Sequence, residues 1–155
     1  MKIGILTFHC AHNYGAVLQC YAMQEFLRCK GHDVEVINYR PKYLLEPYKT
    51  FKVKRFLSKK PIRLSKGVII EFILFPTRLK RFNGFEKFIK NRLSLSEKAT
   101  CSSISPKYDV YIAGSDQIWN PKITHGFDSV FFADFPFIKN MKKYISYAAS
   151  MEAKT

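Results

Sequence analysis

The opening of the chain is apolar without alternation. Lys2 to Phe8 reads Lys-Ile-Gly-Ile-Leu-Thr-Phe, the pattern of a short strand buried on both faces of a parallel sheet. From Gly15 to Lys30 the period changes. Ala16, Cys20, Met23 and Leu27 recur at three- and four-residue spacing as one helical stripe, and Gly31 supplies the left-handed stop on which helices end. Asp33 to Tyr39 returns to strand character through Val34, Val36, Ile37 and Tyr39. Strand, helix and strand within the first 40 residues predict a right-handed crossover, the opening of a doubly wound fold.

After Arg40 the periodicity fades. Pro41, Pro47 and Pro61 exclude a long helix through Ser65, so a basic, partly ordered connection is expected. Two helices, Ser65 to Phe75 and Thr77 to Arg92, are predicted on either side of Pro76, which begins a helix well but breaks one from within; Asn83-Gly84 weakens the second. Tyr108 to Ala113 and Lys143 to Ala149 read as further buried strands, separated by a loop-rich interval from Gly114 to Phe137. The expected class is α/β with a Rossmann-like parallel sheet, and 155 residues predict one domain.

The net charge of +14 changes this picture because it is concentrated. Residues 40–107 hold 18 Lys and Arg against 4 Asp and Glu, and the remaining residues hold 8 of each sign. Such a segment suits an anionic membrane surface, a phosphorylated ligand, nucleic acid, or simply a solvated face. No helix-turn-helix, zinc-finger or RNA-binding signature accompanies it, so no nucleic-acid partner is expected. Only six largely apolar residues follow Lys2 before His9, and the later run Gly67 to Phe75 is interrupted by Glu71 and ended by Pro76. Neither a signal peptide nor a spanning helix of about 20 residues is read, and a cytoplasmic location is expected. The four cysteines show no C-x-x-C spacing and are expected to be reduced, with Cys20 and Cys29 on opposite faces of their helix. His9-Cys10-Ala11-His12 crowds ligand types too closely to encircle an ion without a fourth donor, and no metal is assigned.

Ligands of open parallel sheets bind beyond the carboxyl ends of the strands. That rule selects two segments. In His9-Cys10-Ala11-His12-Asn13-Tyr14-Gly15, Gly15 permits close backbone approach and Asn13 can cap the helix, giving an anion-accepting turn that is not the G-x-G-x-x-G fingerprint. Gly114-Ser115-Asp116-Gln117-Ile118-Trp119-Asn120-Pro121 crowds hydroxyl, carboxylate, amide and indole groups at a strand end. Asp116 is suited to orient a sugar hydroxyl or act as a base, with His9 as a second catalytic candidate. Cys10 carries no sequence sign of the lowered pKa a nucleophile needs. A plainer reading makes Asn13 and Asp116 caps, Trp119 a core anchor, and His9 and His12 exposed loop residues. Parallel topology is expected to bring His9, Asn13, Tyr14 and Gly15 to face Gly114, Ser115, Asp116, Gln117 and Asn120 across one sheet rim.

At these residues the chain resembles the polysaccharide pyruvyl transferase family. The resemblance is carried by Lys2 to Phe8, by Asn13-Tyr14-Gly15-Ala16-Val17-Leu18-Gln19, by His32-Asp33-Val34-Glu35-Val36-Ile37-Asn38-Tyr39, by Gly114 to Pro121 above all, and by Ile145-Ser146-Tyr147-Ala148-Ala149-Ser150. It implies transfer of a pyruvyl group from phosphoenolpyruvate to two hydroxyls of a cell-surface polysaccharide or its lipid-linked precursor, forming a ketal and using no cofactor. Asp116 and His9 would be catalytic, and Asn13, Tyr14, Gly15, Gln19, Gly114, Ser115, Gln117, Trp119 and Asn120 would bind substrate. The implied fold is similar to the N-terminal domain of a two-domain glycosyltransferase type B arrangement. Residues 1–155, with their basic helical segment 40–107, would form the acceptor wall of a cleft, and the phosphoenolpyruvate-holding residues would lie mostly in a second α/β domain outside these residues. The basic segment would rest on the inner face of an anionic membrane. A nucleotide-sugar glycosyltransferase half-domain and a basic nucleic-acid module are the alternatives.

Overall fold

A computed structural model describes residues 1–48, 66–132, 134 and 143–151, with the backbone alone for residues 66–72. Its strands are β1 (Lys2–Leu6), β2 (Asp33–Tyr39), β3 (Leu95–Ala99), β4 (Val110–Gly114) and β5 (Tyr144–Tyr147). Its helices are α1 (Tyr14–Cys29), α2 (Lys42–Leu45), α3 (Lys66–Arg92) and α4 (Pro121–Thr124), with single 3-10 turns at Glu46–Tyr48, Cys101–Ser103 and Ser129–Phe132. The strands form one all-parallel sheet in the order β3-β2-β1-β4-β5, so the molecule is α/β and Rossmann-like.

Strand alternation divides the core between the two faces of the sheet. Ile3, Ile5, Val34, Val36, Val110 and Ile112 pack against Val17 and Cys20 of α1 and against Phe85 and Ile89 of α3. Leu6, Ile37, Tyr111 and Ala113 face the opposite way, onto Phe8, Leu44, Ile118 and Phe131. Gly4 is required on that second face, because a Cβ there would lie 2.8 Å from the ring of Tyr108. Gln24 is a fully buried polar residue on α1. Its side-chain amide donates to the Arg92 carbonyl at 2.9 Å and its oxygen accepts from the Ser94 amide at 2.7 Å. It thus satisfies backbone groups left open where α3 ends.

The structure differs from the sequence reading in three places. Pro76 does not separate two helices but sits inside the single helix α3. Proline removes one intrahelical donor, and the residues that follow are held by Phe85, Ile89 and Leu93, a buried stripe at four-residue spacing. β3 was not anticipated, because Leu-Ser-Glu-Lys-Ala is too polar to read as buried; it occupies a sheet edge, where polar side chains are tolerated. β5 was expected to be buried, yet it forms the other edge, with Ile145, Ser146 and Tyr147 exposed. Of the basic connection expected over residues 40–65, residues 49–65 lie outside the described residues, as do 133 and 135–137 of the loop interval.

Candidate functional site

β1 and β4 are neighbours, paired from Ile3 with Val110 to Leu6 with Ala113. After β1 the chain enters α1 on one face of the sheet, whereas after β4 it turns to Ile118 and Ile123 on the other. Divergence of two adjacent strand ends opens a crevice, the topological switch point of such sheets. A cavity of about 560 Å³ lies there. It is lined by Asn13, Gly15 and Gln19 from the start of α1, and by Ser115, Asp116 and Gln117 from the loop after β4. Tyr43 and Tyr48, from the segment after β2, and Lys122 and His125, from α4 and its end, complete the polar wall.

The local sequence explains the two loops. Asn13 is extended and its Oδ1 accepts the Ala16 amide at 3.3 Å, capping α1; a Cβ on Gly15 would lie 3.2 Å from that same oxygen. Asn120 caps α4 by accepting the Lys122 amide at 2.9 Å, with Pro121 at the first helical position. Between them, Gln117 is left-handed (φ 58°), a conformation unusual for a residue with a side chain. It is held by Ser150, whose hydroxyl accepts the Gln117 amide at 2.8 Å and donates to Asp116 Oδ1 at 2.6 Å. The Ser150 carbonyl also accepts the Trp119 amide at 3.3 Å. The segment after β5 therefore fixes the loop after β4. Asp116 itself is exposed, and among the described residues Ser150 is its side-chain hydrogen-bonding partner.

Five of the expected site residues are placed elsewhere. His9 is fully buried, with Nδ1 3.3 Å from the Thr7 carbonyl and Nε2 3.3 Å from Asn38 Oδ1. Burial lowers its pKa to about 4, outweighing the hydrogen bond to Asn38, so the ring is neutral at physiological pH. Tyr14 turns from the cavity to pack on Phe85 of α3 at a ring separation of 4.7 Å. Gly114 has its Cβ direction filled by Met23 and the Tyr147 carbonyl. Trp119 donates its indole N–H to the Phe131 carbonyl at 2.8 Å and stacks on Phe132, the core-anchor alternative. Asn120 is buried beneath the loop and donates to Gln117 Oε1 at 3.1 Å.

The reading of His9 and His12 as exposed is overturned, since both are buried. His12 Nε2 lies 2.9 Å from Glu86 Oε1, and Arg40 pairs with the second Glu86 oxygen at 3.2 Å. Burial pushes the Glu86 carboxyl up, but the hydrogen bond from His12 and the charge of Arg40 outweigh it and hold the carboxyl below its usual range. Cys10 is buried and its thiol is pushed up to about 11 by desolvation, the opposite of nucleophile activation. Among the described residues no group of three or more His, Cys, Asp and Glu comes together to hold a metal ion.

Sequence reasoning missed Tyr43, Tyr48, Lys122, His125 and Ser150. Asn120-Pro121 is a helix-start signal that would have placed Lys122 on a helix beside the loop. The two tyrosines carried no such sign. Tyr43 and Tyr39 both donate their hydroxyls to Asp128 Oδ2, and burial followed by that contact pushes both phenols well above their usual range, so they remain protonated.

Fold and site together define an α/β protein with a cavity, walled in part by polar side chains, at the switch point of its sheet. A family model described as polysaccharide pyruvyl transferase matches residues 13–155, and the chain belongs to that family. Membership gives it a pyruvyl transfer role on polysaccharides. No curated protein and no solved structure matches the chain.

Proposed function

We propose that the cavity receives the acceptor diol of a glycan, and that pyruvyl is transferred to it in the cytoplasm from phosphoenolpyruvate with formation of a ketal. The convergence of an exposed, Ser150-anchored carboxylate with the α1 start in one cavity supports this reading. The enol methylene carbon takes up a proton, and the first acceptor hydroxyl bonds to the adjacent carbon and loses its own. The bond from that carbon to the phosphate oxygen then breaks, and the second hydroxyl bonds in its place. Of the two hydroxyl protons, one balances that gained by carbon and the other leaves with inorganic phosphate. Asp116 accepts a hydroxyl proton, Ser150 positions it, and Lys122 places an ammonium on the same wall for the anionic donor. The cavity is one wall of a cleft in a two-domain, glycosyltransferase type B arrangement.

Asp116→Asn is the direct test, because asparagine keeps an oxygen to accept from Ser150 while losing the base. In the protein that turns over, this chain or a longer one containing it, kcat for pyruvyl transfer should fall by about 100-fold or more. Unchanged transfer at saturating and limiting acceptor returns Asp116 to a loop-holding role.

A further inference from the structure

The N-terminal end of α1, its cap and first two turns, has two sides. Asn13, Gly15 and Gln19 line the cavity, whereas Tyr14, Val17 and Leu18 line a separate groove of about 620 Å³ against α3. Tyr14 and Leu18 are 65% and 52% exposed there. On α3, Ile73, Thr77, Lys80, Gly84 and Lys87 recur at alternating four- and three-residue spacing and share one exposed stripe. Thr77, Lys80 and Gly84 of that stripe line the groove, and Ile73, one turn earlier, is 67% exposed. Apolar side chains and ammonium groups are thus interleaved on one surface. Among the described residues neither Lys80 nor Lys87 enters an ion pair.

Among the described residues, the acidic side chains near this surface do not neutralise it. Glu86 on α3 lies on another side, taken up by His12 and Arg40, and Glu25, two turns farther along α1, is paired with Arg28 at 3.5 Å. Arg81 also lines the groove and is exposed, adding a further positive charge there while it donates to the His12 carbonyl at 3.2 Å and lies over the Tyr14 and Phe85 rings. Exposed aliphatic and aromatic groups beside unpaired lysines match the boundary between acyl chains and anionic headgroups. A purely solvated basic face needs no Ile73, Leu18 or Tyr14.

We propose that the α1–α3 surface docks the protein on an anionic membrane, with Leu18, Tyr14 and Ile73 entering the interface and Lys80 and Lys87 meeting the headgroups. This rests on the reading of the cavity only for its consequence: a glycan carried on a membrane lipid would reach the cavity from the other side of the same helix end. No helix among the described residues is long and apolar enough to cross a membrane, so the contact is peripheral.

Co-sedimentation of the chain with vesicles of phosphatidylglycerol and phosphatidylcholine tests the docking without any enzymatic readout. Binding should exceed that to pure phosphatidylcholine and weaken as salt rises. Lys80→Gln with Lys87→Gln should lower partitioning about 25-fold, near fivefold per lysine. Leu18→Ser with Ile73→Ser should lower it by roughly tenfold or more while leaving the circular dichroism spectrum and melting temperature intact. Binding to anionic vesicles that is absent, or that stays at the parent's level in both variants, overturns the proposal. Equal retention on a polyuridine RNA, unaffected by the apolar substitutions, overturns it in favour of general polyanion binding. In the protein that turns over, pyruvyl transfer to a soluble saccharide without vesicle binding removes the docking alone, and vesicle binding with transfer unchanged by Asp116→Asn removes the cavity reading alone.

Discussion

Ser150→Ala removes one hydroxyl at the rim of the cavity and releases two groups at once. Asp116 Oδ1 loses a donor at 2.6 Å and the Gln117 amide loses an acceptor at 2.8 Å. Because Asp116 is exposed, water replaces much of the first, and the two bonds together are worth about 2 kcal/mol. Gln117 also sits at φ 58°, which costs a non-glycine residue about 1 kcal/mol and needs that anchor. A loss of about 2 kcal/mol in the ordered loop corresponds to roughly 30-fold in its population. We expect kcat of pyruvyl transfer, read as phosphate release against varied acceptor, to fall about 10- to 30-fold with little change in KM, since a misplaced base acts on the transition state. Ser150→Thr, which restores the hydroxyl, should retain most activity and the parent's melting temperature, whereas Ser150→Ala should lower the melting temperature by up to about 6 °C. A Ser150→Ala enzyme with kcat and KM within twofold of the parent refutes the positioning role. Equal impairment of the alanine and threonine variants would show that packing, not the hydroxyl, is what matters.

Three further outcomes follow from buried groups elsewhere. Gln24→Leu leaves the Arg92 carbonyl and the Ser94 amide unsatisfied in the interior and should cost about 2–4 kcal/mol, lowering the melting temperature by about 6–12 °C in calorimetry; an unchanged melting temperature refutes the capping role. His9 is held neutral with a pKa of about 4, below its unfolded value of 6.5, so its contribution is present above pH 6.5 and is lost as pH falls toward 4. Urea titrations should show stability declining by up to about 3 kcal/mol across that window, and His9→Gln should flatten the decline. With Ellman's reagent at pH 8, Cys29, which is exposed, should react in the native protein, while Cys10 and Cys20, buried with thiols raised to about 11 and 12, should react only on unfolding; fast native labelling of Cys10 would overturn its assignment as inert.

Much of the framework was legible because it is written in local periodicity. The unbroken apolar run of β1, the three- and four-residue stripe of α1 and the return to strand in β2 each lie within one stretch of chain. Parallel pairing then directed attention to the carboxyl ends of β1 and β4, where Asn13, Gly15, Gln19, Ser115, Asp116 and Gln117 meet in one cavity. Three-dimensional neighbours decided the rest. β3 and β5 take the edges of the sheet, α3 runs on through Pro76, and His9 is sealed beneath the rim by Thr7 and Asn38. Ser150 lies 34 residues from Asp116 along the chain, and Tyr43, Lys122 and His125 reach the cavity from separate segments. Periodicity reports which face of an element is apolar, but not which side chain from a distant segment will complete a hydrogen bond, and that depends on how the packed elements bring their ends together.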